Sequence, residues 1–222
     1  MKERIGNLIK GRIRISSQVA GDLFTTQFKW ALWYIAVITL LHVFVSLFSE
    51  QGVFVLSYGS TPTYMLVIGF VVGTFTPFYV KHGVTRKDYY LGSALAMLGV
   101  ALAIALIFSI LAAIESAVYH VMALDILREP FNLSGGSNNW FSAILIYSLS
   151  SYLYCLIGWF VYLGFYRFTR VTGLGFCLLA FLLIYLHGFL ENAQLVILGL
   201  VVLIGILLYL IRLLTQRIPI KI

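Results

Sequence analysis

Histidine, carboxylate and hydroxyl groups are what a chain this apolar could do chemistry with, and their spacing excludes several kinds. His42, His82, His120 and His187 fall in four different segments, without the HExxH spacing that sets two imidazoles on one helix face for zinc. Neither a GxSxG nucleophile elbow nor a close pair of carboxylates inside an apolar stretch occurs. An ionisable group within a membrane span is a functional candidate by default, so His42 is either a transport residue or a hydrogen-bonded packing histidine. Glu115 and His120 sit at the outer end of a long apolar stretch and read as wetted there. Tyr147, Ser148, Ser151, Tyr152, Cys155 and Trp159 recur at offsets that put several on one helix face. A face of hydroxyls either bonds to a neighbouring helix or lines a polar path. The candidate path residues are therefore His42, Ser148, Ser151 and Tyr152. Cys155 and Cys177 lie in apolar stretches without metal-ligand spacing and read as packing residues.

Two polar runs stand out. Leu133-Ser134-Gly135-Gly136-Ser137 resembles the LSGGQ signature of ABC ATPases, but no phosphate loop GxxxxGK[ST] accompanies it, so it reads as a Gly-rich turn. The run from Lys81 to Gly92, Lys-His-Gly-Val-Thr-Arg-Lys-Asp-Tyr-Tyr-Leu-Gly, is the stronger signal. Its Asp-Tyr-Tyr-Leu end is amphipathic and leads into an apolar stretch, which suggests a short interfacial helix with Thr85 near its N-cap. The alternative is a plain connecting loop.

Composition states what must position these groups. Of 222 residues, 61% are hydrophobic and 10% charged, against roughly 25% charge in soluble domains, which excludes a water-soluble globule. A hydrocarbon core about 30 Å thick needs roughly 20 apolar residues per helical span. Six stretches qualify: Trp30–Phe48, Thr63–Val80, Tyr89–Ile114, Trp140–Phe165, Leu174–Leu190 and Ala193–Ile211. They are continuously apolar and not alternating, which excludes a transmembrane barrel. The expectation is an all-α polytopic membrane protein with six transmembrane helices occupying residues 29–211.

Before the first span, Ile5, Leu8, Ile9, Ile13, Val19, Leu23 and Phe24 recur near helical spacing among Lys2, Arg4, Lys10 and Arg14. Over residues 1–28 this suits an interfacial amphipathic helix on anionic membrane lipid, weakened by Gly6, Gly11 and Gly21; a disordered basic tail is the alternative. No small-residue cleavage site follows the first span, so it reads as a retained anchor and not a secretion signal. In the second span Gly69 and Gly73 form a GxxxG pair, a helix-packing face within the chain or toward a second subunit. Pro77 is expected to kink that span. The outer loop Ser49–Pro62 reads as a turn region, and Met122–Asn139 is the longest loop.

Fourteen of the fifteen cations lie in the N-terminal tail, the second loop, the fourth loop and a basic C-terminal tail over residues 212–222. That side sums to +11 and the other, which holds Arg128 with five carboxylates, to −4. The positive-inside rule then makes both termini cytoplasmic. The net charge of +7 is a topology signal, and nucleic acid is not an expected partner.

The stretch Gly-Val-Thr-Arg-Lys-Asp-Tyr-Tyr-Leu-Gly, residues 83–92, resembles the loop G-[VS]-[ST]-R-[KR]-[DE]-[FY]-[FY]-x-G of small bacterial ABC transporter permeases of the type-2 exporter class. These are similar also in having an N-terminal interfacial helix, six spans and cytoplasmic ends. The resemblance implies that Gly83, Val84, Thr85, Arg86, Lys87, Asp88, Tyr89 and Tyr90 couple to a cytosolic ABC ATPase subunit. That partner would hold the ATP and Mg, and this chain no cofactor or metal. A second permease subunit, the same or different, would complete the path for exported substrate in the bacterial cell membrane. One departure is the short Gly188–Gln194 connection, where family members often carry re-entrant helices. The competing classes are a self-contained membrane enzyme, using Glu115, His120, His187 and Glu191, and a non-transporting membrane scaffold.

Overall fold

The computed structural model describes residues 2–45, 53–121, 140–168, 170–188 and 193–216. The Gly-rich 133–137 run, the 122–139 loop, residues 189–192, the tail beyond 216 and the side chains of residues 2–14, His120 and His187 lie outside the described residues. Among the described residues seven helices follow one another, α1 (Lys2–Val45), α2 (Val53–Thr74), α3 (Thr76–Lys81), α4 (Arg86–Val121), α5 (Trp140–Arg167), α6 (Arg170–Gly188) and α7 (Ala193–Gln216), and no strand occurs. Five stretches among the described residues, in α1, in α2 with α3, in α4, in α5 and in α7, are long and apolar enough to cross a membrane, and α6 carries a shorter apolar stretch, Val171–Tyr185. The chain is a multi-pass helical membrane protein.

Three boundaries differ from the sequence expectation. First, α1 is one helix of 44 residues, about 66 Å at 1.5 Å per residue, so no break separates the N-terminal basic segment from the first apolar stretch. No proline interrupts it, and each glycine costs only about 1 kcal/mol, which packing offsets. Val19, Leu23, Gln27, Ala31 and Ile35 form a buried seam every fourth residue, and Gly92 and Gly99 of α4 admit Val19 and Phe24 of that face. The apolar side of residues 19–24 therefore packs on α4 and is not offered to acyl chains.

Second, α2 begins at Val53, so Ser57, Ser60, Thr61 and Pro62 are helical and not part of an outer turn. Pro62 lacks an N–H and forfeits one helix bond, which a membrane helix tolerates where hydroxyl groups and neighbouring helices satisfy the freed groups. Third, Pro77 does more than bend a span. The chain turns at Phe75, whose N–H donates to the Val72 carbonyl at 3.1 Å, and Pro77 sits in the first turn of α3, where its missing N–H costs nothing.

Residue pairings fix the direction of the helices. Val19 meets Gly92, Phe24 meets Gly99 and His42 meets Glu115, so α1 and α4 run parallel. Thr61 with Tyr147 and Gly73 with Tyr162 make α2 and α5 parallel as well. Arg86 with Gln216 and Tyr90 with Leu208 make α4 and α7 antiparallel. α5 packs on α2, α4, α6 and α7 and is the most enclosed span. Exposed apolar residues such as Trp33, Leu40, Phe181, Leu198 and Tyr209 ring the bundle, as lipid contact requires.

Lys81, Arg86, Lys87 and Arg212 gather at the end where α4 starts and α7 finishes, and His42 and Glu115 lie toward the opposite end. The charge segregation read from the sequence is thus a segregation in space for these residues.

Candidate functional site

Two groups of residues are candidates: the basic loop between α3 and α4, and the polar residues inside the bundle. The loop is short because its backbone turns tightly. Gly83 takes φ +87, a left-handed conformation that glycine adopts without the Cβ penalty. The Val84 N–H donates to the Tyr79 carbonyl at 3.1 Å and the Gly83 N–H to the Val80 carbonyl at 3.2 Å. Thr85 then caps α4. Its Oγ1 accepts from the Asp88 N–H at 3.2 Å and donates to Asp88 Oδ2 at 2.6 Å, and a carboxylate in the first turn also complements the helix dipole.

The eight loop residues divide by what they touch. Gly83, Thr85 and Lys87 are exposed. Val84 packs against the core. Asp88 is 2% exposed and Tyr89 fully buried. The Tyr89 hydroxyl donates to the Val72 carbonyl, and the Tyr90 hydroxyl donates to the Leu208 carbonyl at 2.9 Å. Arg86 donates to the Gln216 carbonyl at 3.0 Å. Both tyrosine rings flank the buried Trp159, at centroid distances of 6.3 and 5.9 Å. So Asp88 closes the loop on Thr85, Tyr89 and Tyr90 hold it to α2, α5 and α7, and the residues it presents outward are Lys81, His82, Gly83, Thr85 and Lys87. Nor is there a separate short helix here, because Arg86–Tyr90 are the first turn of α4, a helix of 36 residues.

Within the bundle, His42 is not part of the hydroxyl face. Its Nε2 lies 2.9 Å from Glu115 Oε1, and its Nδ1 is buried without a hydrogen-bond partner. Glu115 is correspondingly held by α1 as well as α4, at one end of their shared seam. Ser148 donates to the Leu145 carbonyl of its own helix at 3.0 Å, and Ser151 and Tyr152 are buried. These α5 residues face the interior, and Tyr147 ties α5 to α2 through a hydrogen bond. Its hydroxyl bonds to Thr61 at 2.6 Å, Thr61 to Tyr34 at 2.8 Å and Tyr34 to Ser60 at 2.8 Å. Tyr34 also stacks on Tyr64, with centroids 4.1 Å apart. A hydroxyl relay thus joins α1, α2 and α5.

Sequence reasoning included Tyr147 but missed Tyr34, Ser60 and Thr61. The available signal was the hydroxyl cluster Ser57, Ser60 and Thr61 at helical spacing, obscured by Pro62 and Gly59.

Gly69 and Gly73 of α2 pack against α5. A Cβ on Gly69 would stand 1.8 Å from the Cys155 carbonyl oxygen, one on Gly73 2.3 Å from the Tyr162 ring, and one on Gly158 2.0 Å from the Leu66 carbonyl oxygen. The GxxxG face is used within the chain, and Cys155 is a buried free thiol beside it. Comparison of the chain with models of protein families, with curated proteins and with solved structures finds no match in any of the three.

Proposed function

We propose that the chain is the membrane-spanning permease subunit of an ATP-driven ABC exporter, receiving movement from a separate cytosolic ATPase through the loop between α3 and α4. The observation that carries this reading is how the loop is built. Its outward surface is small and basic, while the Thr85 and Asp88 cap and the Tyr89 and Tyr90 anchors fix it to the start of α4 and to three other helices. A contact that moves this loop therefore moves packed helices, which is the discrete coupling that a two-state device needs.

On this reading the basic end is cytoplasmic by the positive-inside rule, six segments cross the membrane with α6 as the fifth, and both termini are inside. ATP and Mg belong to the partner. The substrate crosses between this chain and a second permease subunit, and the hydroxyl relay and the α5 face are its first candidate contacts. A membrane enzyme has less support, since Glu115 is engaged by His42. A scaffold assembled through Gly69 and Gly73 has less support too, since both are closed against α5 of the same chain.

The test is purification from membranes in mild detergent with identification of the co-purifying ATPase, comparing wild type with Lys87→Glu and Lys81→Glu. Both residues are exposed, so folding should survive. Loss of ATPase retention or of stimulated hydrolysis is expected. If both persist at wild-type levels in the double variant, the coupling assignment is wrong.

A further inference from the structure

We propose that the groove between the first turns of α4 and the last turns of α7 binds the headgroup of one anionic glycerophospholipid, a role that does not depend on the ATPase reading. The groove holds about 180 Å³, and its wall is almost wholly apolar, built from Tyr90, Leu91, Thr215 and the hydrocarbon stems of Arg86, Lys87 and Arg212. It is therefore the exposed charged ends of Lys87 and Arg212 that stand open to a headgroup. Among the described residues the lining contains these three cations and no carboxylate.

Each feature matches one part of such a lipid. The Arg86 guanidinium is fixed by its bond to the Gln216 carbonyl at 3.0 Å, and a guanidinium carries five N–H donors, so further donors remain for a phosphate. Lys87 and Arg212 are exposed at the groove, where each can meet a phosphate without being desolvated first. Thr215 donates to the Ile211 carbonyl at 2.7 Å and serves as wall.

Position supplies the second half of the match. α4 and α7 both contain stretches of spanning length, and the groove lies where those stretches end, at the depth where headgroups lie. From it, exposed apolar residues continue toward the bilayer centre one turn apart: Leu91 and Leu95 on α4, Leu213 and Tyr209 on α7. A soluble phosphate compound would use the cations and leave this apolar track unused. An amphiphile with an anionic head uses both.

An anionic headgroup gains about fivefold in affinity for each nearby cation. The full chain is purified in mild detergent and titrated with phosphatidylglycerol or with phosphatidylcholine of the same acyl chains, and bound lipid is counted by native mass spectrometry. One phosphatidylglycerol per chain is expected, held more tightly than phosphatidylcholine. Arg212→Gln and Lys87→Gln should each weaken it about fivefold at an unchanged melting temperature, and Arg212→Lys should restore it.

Arg167→Gln is the control. α5 runs parallel to α2, which puts Arg167 at the same end of the bundle, but it lies outside the groove and over the Phe168 ring. It should leave the count at one. Equal binding of the two lipids, an unchanged affinity in Arg212→Gln, or an equal loss in Arg167→Gln would overturn the site. Displacement of the lipid by inorganic phosphate would show that the acyl track contributes nothing, and would overturn the lipid assignment. Loss of a protein partner in Arg212→Gln with no lipid bound in wild type would overturn it in favour of a protein contact.

Discussion

Substituting Gly69 or Gly158 by alanine tests the closest approach among the described glycines. A methyl carbon would stand 1.8 Å from the Cys155 oxygen in the first case and 2.0 Å from the Leu66 oxygen in the second, and carbon and carbonyl oxygen settle at about 3.3–3.6 Å. Both obstructing atoms are helix backbone, so no side chain can swing aside, and α2 and α5 must part by about 1.5 Å. Met65, Ile68 and Val72 on α2 and Tyr152, Cys155 and Trp159 on α5 are buried and would lose packing across the gap. About thirty atom pairs, each losing about 0.1 kcal/mol, forfeit about 3 kcal/mol, at the upper end of ordinary overpacking penalties. For a chain of this size that corresponds to a melting midpoint about 6–12 °C lower, readable by size-exclusion of a fluorescent fusion after heating in detergent. Gly175→Ala and Gly205→Ala are the matched controls. Nothing lies within 4 Å of a Cβ at either position, and both are helical, so alanine should be neutral or stabilise by about 0.5–1 kcal/mol. A wild-type midpoint in both Gly69→Ala and Gly158→Ala would show that the two helices do not meet this way.

Other perturbations separate the polar groups. Gln27 is 1% exposed and both its amide atoms lack hydrogen-bond partners, so Gln27→Leu should raise the melting midpoint, by the equivalent of about 1–3 kcal/mol; a lower midpoint would mean that the amide is satisfied by something bound there. Tyr34→Phe removes the hydroxyl shared by Ser60 and Thr61, whereas Tyr147→Phe leaves Thr61 bonded to Tyr34. The first should cost more, each lost bond being worth about 0.6 kcal/mol in a membrane interior, and the order of the two midpoints is the check. His42→Leu removes the imidazole that faces the Glu115 carboxyl on a seam between two helices, while Glu115→Gln keeps a hydrogen-bonding group opposite the imidazole. Destabilisation of about 1–3 kcal/mol is expected for the first and less for the second, and equal losses would refute the pairing.

Part of this was legible in the sequence because apolar runs report the long helices directly, and the spacing of the cations reports the end of the bundle where Lys81, Arg86, Lys87 and Arg212 gather. The Thr85 cap could be read because a threonine three residues before an aspartate is a local signal, and its geometry is local too. The start of α2 could not be read: Gly59, Ser60, Thr61 and Pro62 together look like a turn, and only the partners Tyr34 and Tyr147, 26 and 86 residues away in chain order, make them helical interior. The pairing of His42 with Glu115 spans 73 residues and has no local signature either. The resemblance in the loop identified polar residues as partner contacts, but Asp88 and Tyr89 are turned inward, a distinction that depends on where Val72 and Trp159 lie and not on the residues of the motif.

The two helices that leave the proposed coupling loop are built differently, and this decides how movement would travel. On one side α2 is interrupted: it stops at Thr74, turns at Phe75 and resumes as α3, a helix of six residues. On the other side α4 runs without a break from Arg86 to Val121, about 54 Å, and packs along α1 from Gly92 to Glu115. A displacement applied at Lys87 therefore meets a joint in one direction and a rod in the other. On the proposed reading the joint would absorb rotation at Phe75 and Gly83, and the rod would carry the displacement to the far end of the bundle, where His42 and Glu115 tie α4 to α1. The proposed reading thus assigns the ends of one helix to two tasks, partner contact at Arg86 to Tyr90 and holding of the opposite end at Glu115. Separation of the His42 and Glu115 pair is the change at that far end that such a movement would first require.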